Sequence, residues 1–158
     1  IFNILTHSIN WGGFNDITVL DVFSGTGALG LEAISRGASA GVFIDNNASS
    51  LEFVKTNAAA LGEAHNVLPL KIDATQLLQP PRSAHAPLAL TFIDPPYGTN
   101  LSDQALKALC HKGWIAFGGL VVVEISKDDK LTLPHGLKLI DERTYGVTLI
   151  KFLQNRNN

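Results

Sequence analysis

Apolar runs alternate with helical patterns along most of this chain. That alternation constrains the fold more than any other feature, because parallel strands joined by crossover helices produce it. Thr18-Val19-Leu20-Asp21-Val22-Phe23 reads as a first strand, followed by a glycine turn and a helix from Leu29 to Arg36. Gly41–Asp45 reads as a second strand and Ala48–Leu61 as the next helix, with Leu51, Val54, Ala58 and Leu61 on one face. Val67–Ile72 reads as a third strand. A loop with Pro80-Pro81 and Pro87 separates a short helix near Thr75–Leu78 from the fourth strand, Leu88–Ile93. A helical pattern around Asp103–His111 then leads to Gly119–Glu124, whose β-branched richness fits a strand buried on both faces. In the tail, the strand candidates Leu137–Glu142 and Val147–Leu153 are separated only by Arg143-Thr144-Tyr145-Gly146. They must pair antiparallel, since a parallel pair needs a crossover of about a dozen residues or more. The expectation is an α/β domain with a five-strand parallel core and an antiparallel hairpin at its end.

At 158 residues, 46% hydrophobic and 16% charged, the chain suits one domain spanning 1–158. It contains no Met and opens on Ile1-Phe2-Asn3-Ile4-Leu5, the pattern of the middle of an amphipathic helix, so a basic segment upstream is expected to be missing. A net charge of −2 argues against binding nucleic acid by charge alone. The single Cys110 makes no intrachain disulfide, and without an apolar leader a reducing, cytoplasmic setting is the expectation. No apolar stretch approaches the roughly 20 residues that cross a bilayer. The histidines at 7, 65, 85, 111 and 135 have no metal-ligand spacing, so no metal is expected. Trp11 and Trp114 are read as packing residues.

Gly25-Thr26-Gly27-Ala28-Leu29-Gly30 matches G-x-G-x-x-G between a strand and a helix, with Asp45 placed 20 positions after Gly25. Read mechanically, this is a dinucleotide fingerprint, and an NAD-linked oxidoreductase is a serious rival reading. Asp21, two residues before Phe23, speaks against it. A carboxylate there is a liability beside a pyrophosphate but useful beside a ligand bearing an ammonium and a sulfonium. Asp45 can accept hydrogen bonds from ribose hydroxyls, which either cofactor requires. Asp73-Ala74, after the third strand, is placed to meet an adenine. Each carboxylate singly could be a helix N-cap. Asp21, Asp45, Asp73 and Asp94 together mark the carboxyl ends of successive parallel strands, the edge along which open α/β sheets bind ligands.

Asp94-Pro95-Pro96-Tyr97 follows the fourth strand directly. Two prolines fix φ near −65° and supply no N–H, so nearby carbonyls stay free to accept hydrogen bonds. An amino group presented at such a corner meets acceptors for both hydrogens, and the tyrosine offers a face for stacking. The plain alternative is a proline-rich turn that ends a strand.

With the D-P-P-Y corner, the run Asp21-Val22-Phe23-Ser24-Gly25-Thr26-Gly27-Ala28-Leu29-Gly30-Leu31-Glu32-Ala33-Ile34-Ser35-Arg36-Gly37-Ala38 resembles the RsmD-like bacterial methyltransferases that modify guanine N2 in small-subunit (16S) ribosomal RNA. The resemblance implies a class I S-adenosylmethionine-dependent methyltransferase fold: a Rossmann-like three-layer sandwich with a seven-stranded, mostly parallel sheet. It implies S-adenosyl-L-methionine as cofactor, with Asp21, Ser24, Gly25, Gly27 and Ala28 at its methionine end, Asp45 on the ribose and Asp73 with Ala74 at the adenine. Phe23 and Asn46 are counted with them as cofactor contacts. Asp94, Pro95, Pro96 and Tyr97 are expected to receive the target base. The implied partner is 16S rRNA or the small ribosomal subunit, met by a monomer. Because adenine-N6 and cytosine-N4 enzymes share the tetrapeptide, those substrates stay open, as does a cofactor-binding domain without activity.

Overall fold

The computed structural model describes residues 1–157. Within them seven strands form one sheet: β1 (Thr18–Val22), β2 (Ala40–Asp45), β3 (Val67–Lys71), β4 (Leu88–Ile93), β5 (Ile115–Ser126), β6 (Leu137–Tyr145) and β7 (Thr148–Asn155). The strand order is β3-β2-β1-β4-β5-β7-β6. β1 pairs in parallel with β2 and β4, β2 with β3, and β4 with β5. β7 runs antiparallel to both β5 and β6, the hairpin expected from the short connection. The chain winds from β1 outward to β3, then returns to the other side of β1, so the order reverses between β1 and β4.

Successive strand residues point to opposite faces, and here both faces are covered. On one side, Val19, Phe43, Leu90, Phe92 and Val122 pack against α1 (Phe2–His7), α2 (Ala28–Ser35) and α3 (Ala48–Ala60). On the other, Leu20, Val22, Val42, Ile44, Val121 and Val123 pack with Leu106 and Leu109 of α4 (Leu101–His111). Trp114 is buried there, and its indole N–H donates to the Leu78 carbonyl at 2.8 Å. α3 is capped by Asn47, whose side-chain oxygen accepts from the Ser49 and Ser50 amides at 2.8 and 3.3 Å.

Several boundaries differ from the sequence reading, each for a backbone reason. β1 stops at Val22 because Phe23 takes a left-handed conformation, φ 58°. The fifth strand starts before Gly119: β4 and β5 shift register between Leu88 and Leu90, with Gly118 at φ 74°. A Cβ on Gly119 would lie 2.9 Å from the Ala116 carbonyl, so the irregularity needs glycine. The tail hairpin turns at Gly146-Val147, with Gly146 at φ 60°, and Tyr145 lies within β6 opposite Thr148. The short helix near Thr75–Leu78 is a single 3₁₀ turn, Ala74–Gln76. Leu61 lies beyond the end of α3 and is exposed, unlike Leu51, Val54 and Ala58.

Gly30 lets α2 lie close on the sheet. A Cβ there would be 2.5 Å from Cε1 of the fully buried Phe43 and 3.2 Å from the Asp21 Cβ. Gly30→Ala is therefore expected to destabilise the protein by about 1–3 kcal/mol through overpacking. Urea unfolding should show a lower midpoint at unchanged slope.

Candidate functional site

Sheet register builds the site. Val22 of β1 pairs with Ile44 of β2 and with Ile93 of β4, so the next residues, Phe23, Asp45 and Asp94, stand side by side at the carboxyl edge of the sheet. A cleft of about 500 Å³ opens there, between Phe23 and Gly25, Ile44 to Asn46, Ile72 to Thr75, Asp94 to Pro96, and Leu101. Among the described residues, no lysine or arginine lines it.

Two carboxylates hold the glycine turn from behind. Asp45 Oδ2 accepts the Gly25 N–H at 2.9 Å, while its Oδ1 accepts the Asn47 N–H at 2.9 Å. Asp21 Oδ2 accepts the Gly30 N–H at 2.9 Å, in the first turn of α2. Gly27, the N-cap of α2 at φ 82°, has no side chain to do this. A Cβ on Gly27 would also press on Val54 and Phe43 at 3.0 and 3.1 Å. Asn57 adds a third tie, donating to the Thr26 carbonyl at 3.0 Å. This geometry is unsuited to a pyrophosphate, which needs the free amides and positive potential of a helix N-terminus. Here the amides of Gly25 in the turn and Gly30 in the helix already face carboxylates.

The electrostatics agree. Burial pushes the Asp21 carboxyl up to about 8; the Gly30 amide opposes this, and the nearby Asp94 and Asp45 charges add to it. Burial, then the charge of Glu124, pushes Asp94 up to about 6. Asp73 is exposed, and the Thr75 hydroxyl and amide, at 2.7 and 2.9 Å, hold it below the usual carboxylate range. Crowded carboxylates with no lining cation favour a positively charged ligand.

Of the expected residues, Phe23, Gly25, Asp45, Asn46, Asp73, Ala74, Asp94, Pro95 and Pro96 line the cleft. Asp21, Ser24, Gly27, Ala28 and Tyr97 do not. Asp21 lies beneath the turn, Gly27 is packed on Phe43, and Ala28 is exposed at the start of α2. Ser24 is buried, with an Oγ that has no hydrogen-bond partner among the described residues. Tyr97 stands outside, its hydroxyl 3.1 Å from Glu124 Oε1 and 2.7 Å from Thr148 Oγ1. Thr99 donates to the Pro96 carbonyl at 2.8 Å, and among the described residues no hydrogen bond outside the regular elements reaches the Pro95 carbonyl.

Sequence reasoning does not single out Ile44, Ile72, Thr75 or Leu101. The available signal for the two isoleucines is their position just before an edge carboxylate; Leu101 has none, because only the packing of α4 brings it there. A larger cleft of about 620 Å³ runs along α4 between Asn100 and Asn157. It holds Cys110, whose thiol burial pushes up to about 11, so that side chain is no nucleophile at neutral pH.

The strand order and the acidic cleft at the point of reversal define a class I methyltransferase fold. The family model described as conserved hypothetical protein 95 matches residues 1–154. Ribosomal RNA small subunit methyltransferase D of Haemophilus influenzae is 33% identical over 140 residues, covering 86% of this chain and 70% of that protein. The protein of the same description from Escherichia coli K12 is 33% identical over 141 residues, covering 88% and 69%. Among solved structures, the Escherichia coli methyltransferase yhhF superposes with TM-score 0.82 at 28% identity, covering 99% of this chain and 84% of that one. The methylase HI0767 of Haemophilus influenzae superposes with TM-score 0.79 at 26% identity, covering 99% and 94%. The chain belongs to this methyltransferase family, known by its small-subunit methyltransferase D members.

Because Asp21 is protonated in the fold up to pH about 8 but ionises near its ordinary 3.8 when unfolded, its burial cost grows as pH rises between those values. Asp21→Asn keeps an acceptor for Gly30 without that cost. The ligand-free variant is expected to melt above the wild type at pH 8, with the gap narrowing as pH falls toward 5; thermal scans across that range measure it.

Proposed function

We propose that this chain transfers a methyl group from S-adenosylmethionine to the exocyclic N2 amine of a guanine in small-subunit ribosomal RNA. One observation carries the reading: Asp94, Pro95 and Pro96 of the D-P-P-Y corner wall the same cavity as Asp45 and Asp73, with Tyr97 just outside it. The names of the relatives, ribosomal RNA small subunit methyltransferase D, support the substrate class.

The residues present fit that cofactor. Asp45 keeps lone pairs facing the cleft after accepting two amides, as a ribose diol requires. Phe23, Ile44, Ile72 and Ala74 provide apolar walls for an adenine. The orphaned hydroxyl of Ser24, in the turn between the cleft-lining Phe23 and Gly25, is a polar group in need of a partner. The carboxylates that line the cleft, Asp45 and Asp94, compensate positive charge. When bound, S-adenosylmethionine supplies a methyl already activated on a positively charged sulfur.

What the chain has to add is position, which can supply roughly 7–11 kcal/mol of barrier reduction. Asp94, at the lip of β4, accepts one hydrogen of the target amine, and the Pro95 carbonyl accepts the other. Holding both hydrogens draws the nitrogen lone pair out of conjugation with the ring and aims it at the cleft. Tyr97, anchored by Glu124 and Thr148, presents its half-exposed ring as a stop for the base plane. Since the amine must reach a cleft at the sheet edge, the nucleotide enters unstacked.

Asp94→Ala or Tyr97→Ala is expected to remove most methyl transfer while leaving the calorimetric dissociation constant for S-adenosylmethionine within about twofold. Asp45→Ala should instead weaken cofactor binding at least tenfold, about 1.4 kcal/mol or more, and NAD should not bind the wild type. Nucleoside mass spectrometry of the methylated RNA should yield N2-methylguanosine; N6-methyladenosine or N4-methylcytidine would reassign the substrate.

Ionised, the carboxyl of Asp94 is a much stronger acceptor for the amine than when protonated, and its value is raised to about 6. Single-turnover methyl transfer by the wild type is accordingly expected to fall as pH is lowered through about 6. A profile flat from pH 8 to 5 would remove Asp94 from that role.

A further inference from the structure

We infer that Tyr145 is a second nucleobase platform, which stacks on the nucleotide next to the target base in the RNA substrate. The inference rests on the methyltransferase reading above and deepens it.

Three segments are stitched together at the rim beside the D-P-P-Y corner. The Tyr97 hydroxyl contacts Thr148 Oγ1 at 2.7 Å, and Thr148 pairs directly with Tyr145 across the hairpin. Asp129 Oδ2 accepts amides from Gly98 and Ser126 at 3.3 and 3.2 Å, tying the corner to the loop after β5. Lys127 donates its amide to the Val147 carbonyl at 2.8 Å, tying that loop to the hairpin tip. Directly opposed residues on an antiparallel pair share a face about 5 Å apart. Tyr145 therefore stands one strand beyond the residue that anchors Tyr97, on the same face of the sheet.

The fold buries less than half of the ring. Tyr145 is 56% exposed and Val147 is 61% exposed, beside Tyr97 at 44%. Among the described residues, none hydrogen-bonds the Tyr145 hydroxyl. A hairpin tip needs its glycine, which Gly146 supplies, and does not need a large aromatic in water.

Charge indicates how such a surface binds. Asp94, Glu124 and Asp129 stand around the corner, and Arg143, two residues before Tyr145, is paired with Asp141, so the rim offers phosphates little beyond Lys127. Base faces are what it can hold, because stacking on an aromatic ring needs no neutralised backbone. The exposed side chain of Lys127, next to the tip, is left to meet the phosphate between the two nucleotides.

The test compares wild type, Tyr145→Ala and Tyr145→Phe in methyl transfer to unmethylated 16S rRNA transcript and to small subunits reconstituted from it. Tyr145→Ala is expected to raise KM for the RNA-containing substrate about tenfold, equivalent to about 1.4 kcal/mol of stacking. Its kcat and S-adenosylmethionine dissociation constant should be unchanged. Tyr145→Phe, which keeps the ring, should restore the wild-type KM. An unchanged KM in Tyr145→Ala on a substrate that the wild type methylates overturns this inference alone, as does failure of Tyr145→Phe to rescue. A wild type that binds S-adenosylmethionine yet methylates neither substrate overturns the rRNA reading and this inference with it.

Discussion

Between β1 and α2 the chain must leave a buried strand, reverse within a few residues and begin a helix whose N-cap, Gly27, has no side chain. Asp21 and Asp45 make that possible by accepting the Gly30 and Gly25 amides. The pins hold Phe23 at φ 58°, a conformation costly for a bulky residue, and leave Gly25 against the cleft. Burying Asp21 is the cost, visible in a carboxyl raised to about 8. A positively charged ligand relieves that cost, so the interaction that shapes the turn also sets the sign of what the turn can bind.

The sheet converts this local device into a site. Because Val22 is in register with both Ile44 and Ile93, the residues that follow each strand emerge level with one another. The chain order reverses between β1 and β4, so no crossover helix fills the space above that pair. Asp45 and Asp73 arrive from one side of β1 and the D-P-P-Y corner from the other. The carboxylates of one half of the sheet and the proline corner of the other thus meet across a single strand.

The antiparallel hairpin is more than an edge closure. Through Thr148 it orients Tyr97, and through Val147 it is tied to the loop that holds Gly98. Glu124 has two effects there. It accepts from the Tyr97 hydroxyl and raises the neighbouring Asp94 carboxyl, so the rim's geometry and its ionisation are coupled.

Much of this is local in the chain and hence readable from it. Alternating apolar periods mark which segments are strands and helices. The short tail connection compels an antiparallel pair, and each edge carboxylate stands where its strand ends. The two prolines and the glycines carry their backbone constraints with them. What the sequence could not say is where carboxylate oxygens spend their hydrogen bonds. Asp21 is absorbed by the Gly30 amide beneath the turn, a residue nine positions away. Thr99 takes the Pro96 carbonyl and leaves that of Pro95, while Tyr97 is turned toward Glu124 and Thr148. Leu101 enters the cleft, and Tyr145 reaches the rim, only through the packing of elements distant in sequence. Periodicity and turn chemistry act between near neighbours along the chain, whereas the aim of a side chain is set by partners that folding alone brings within reach.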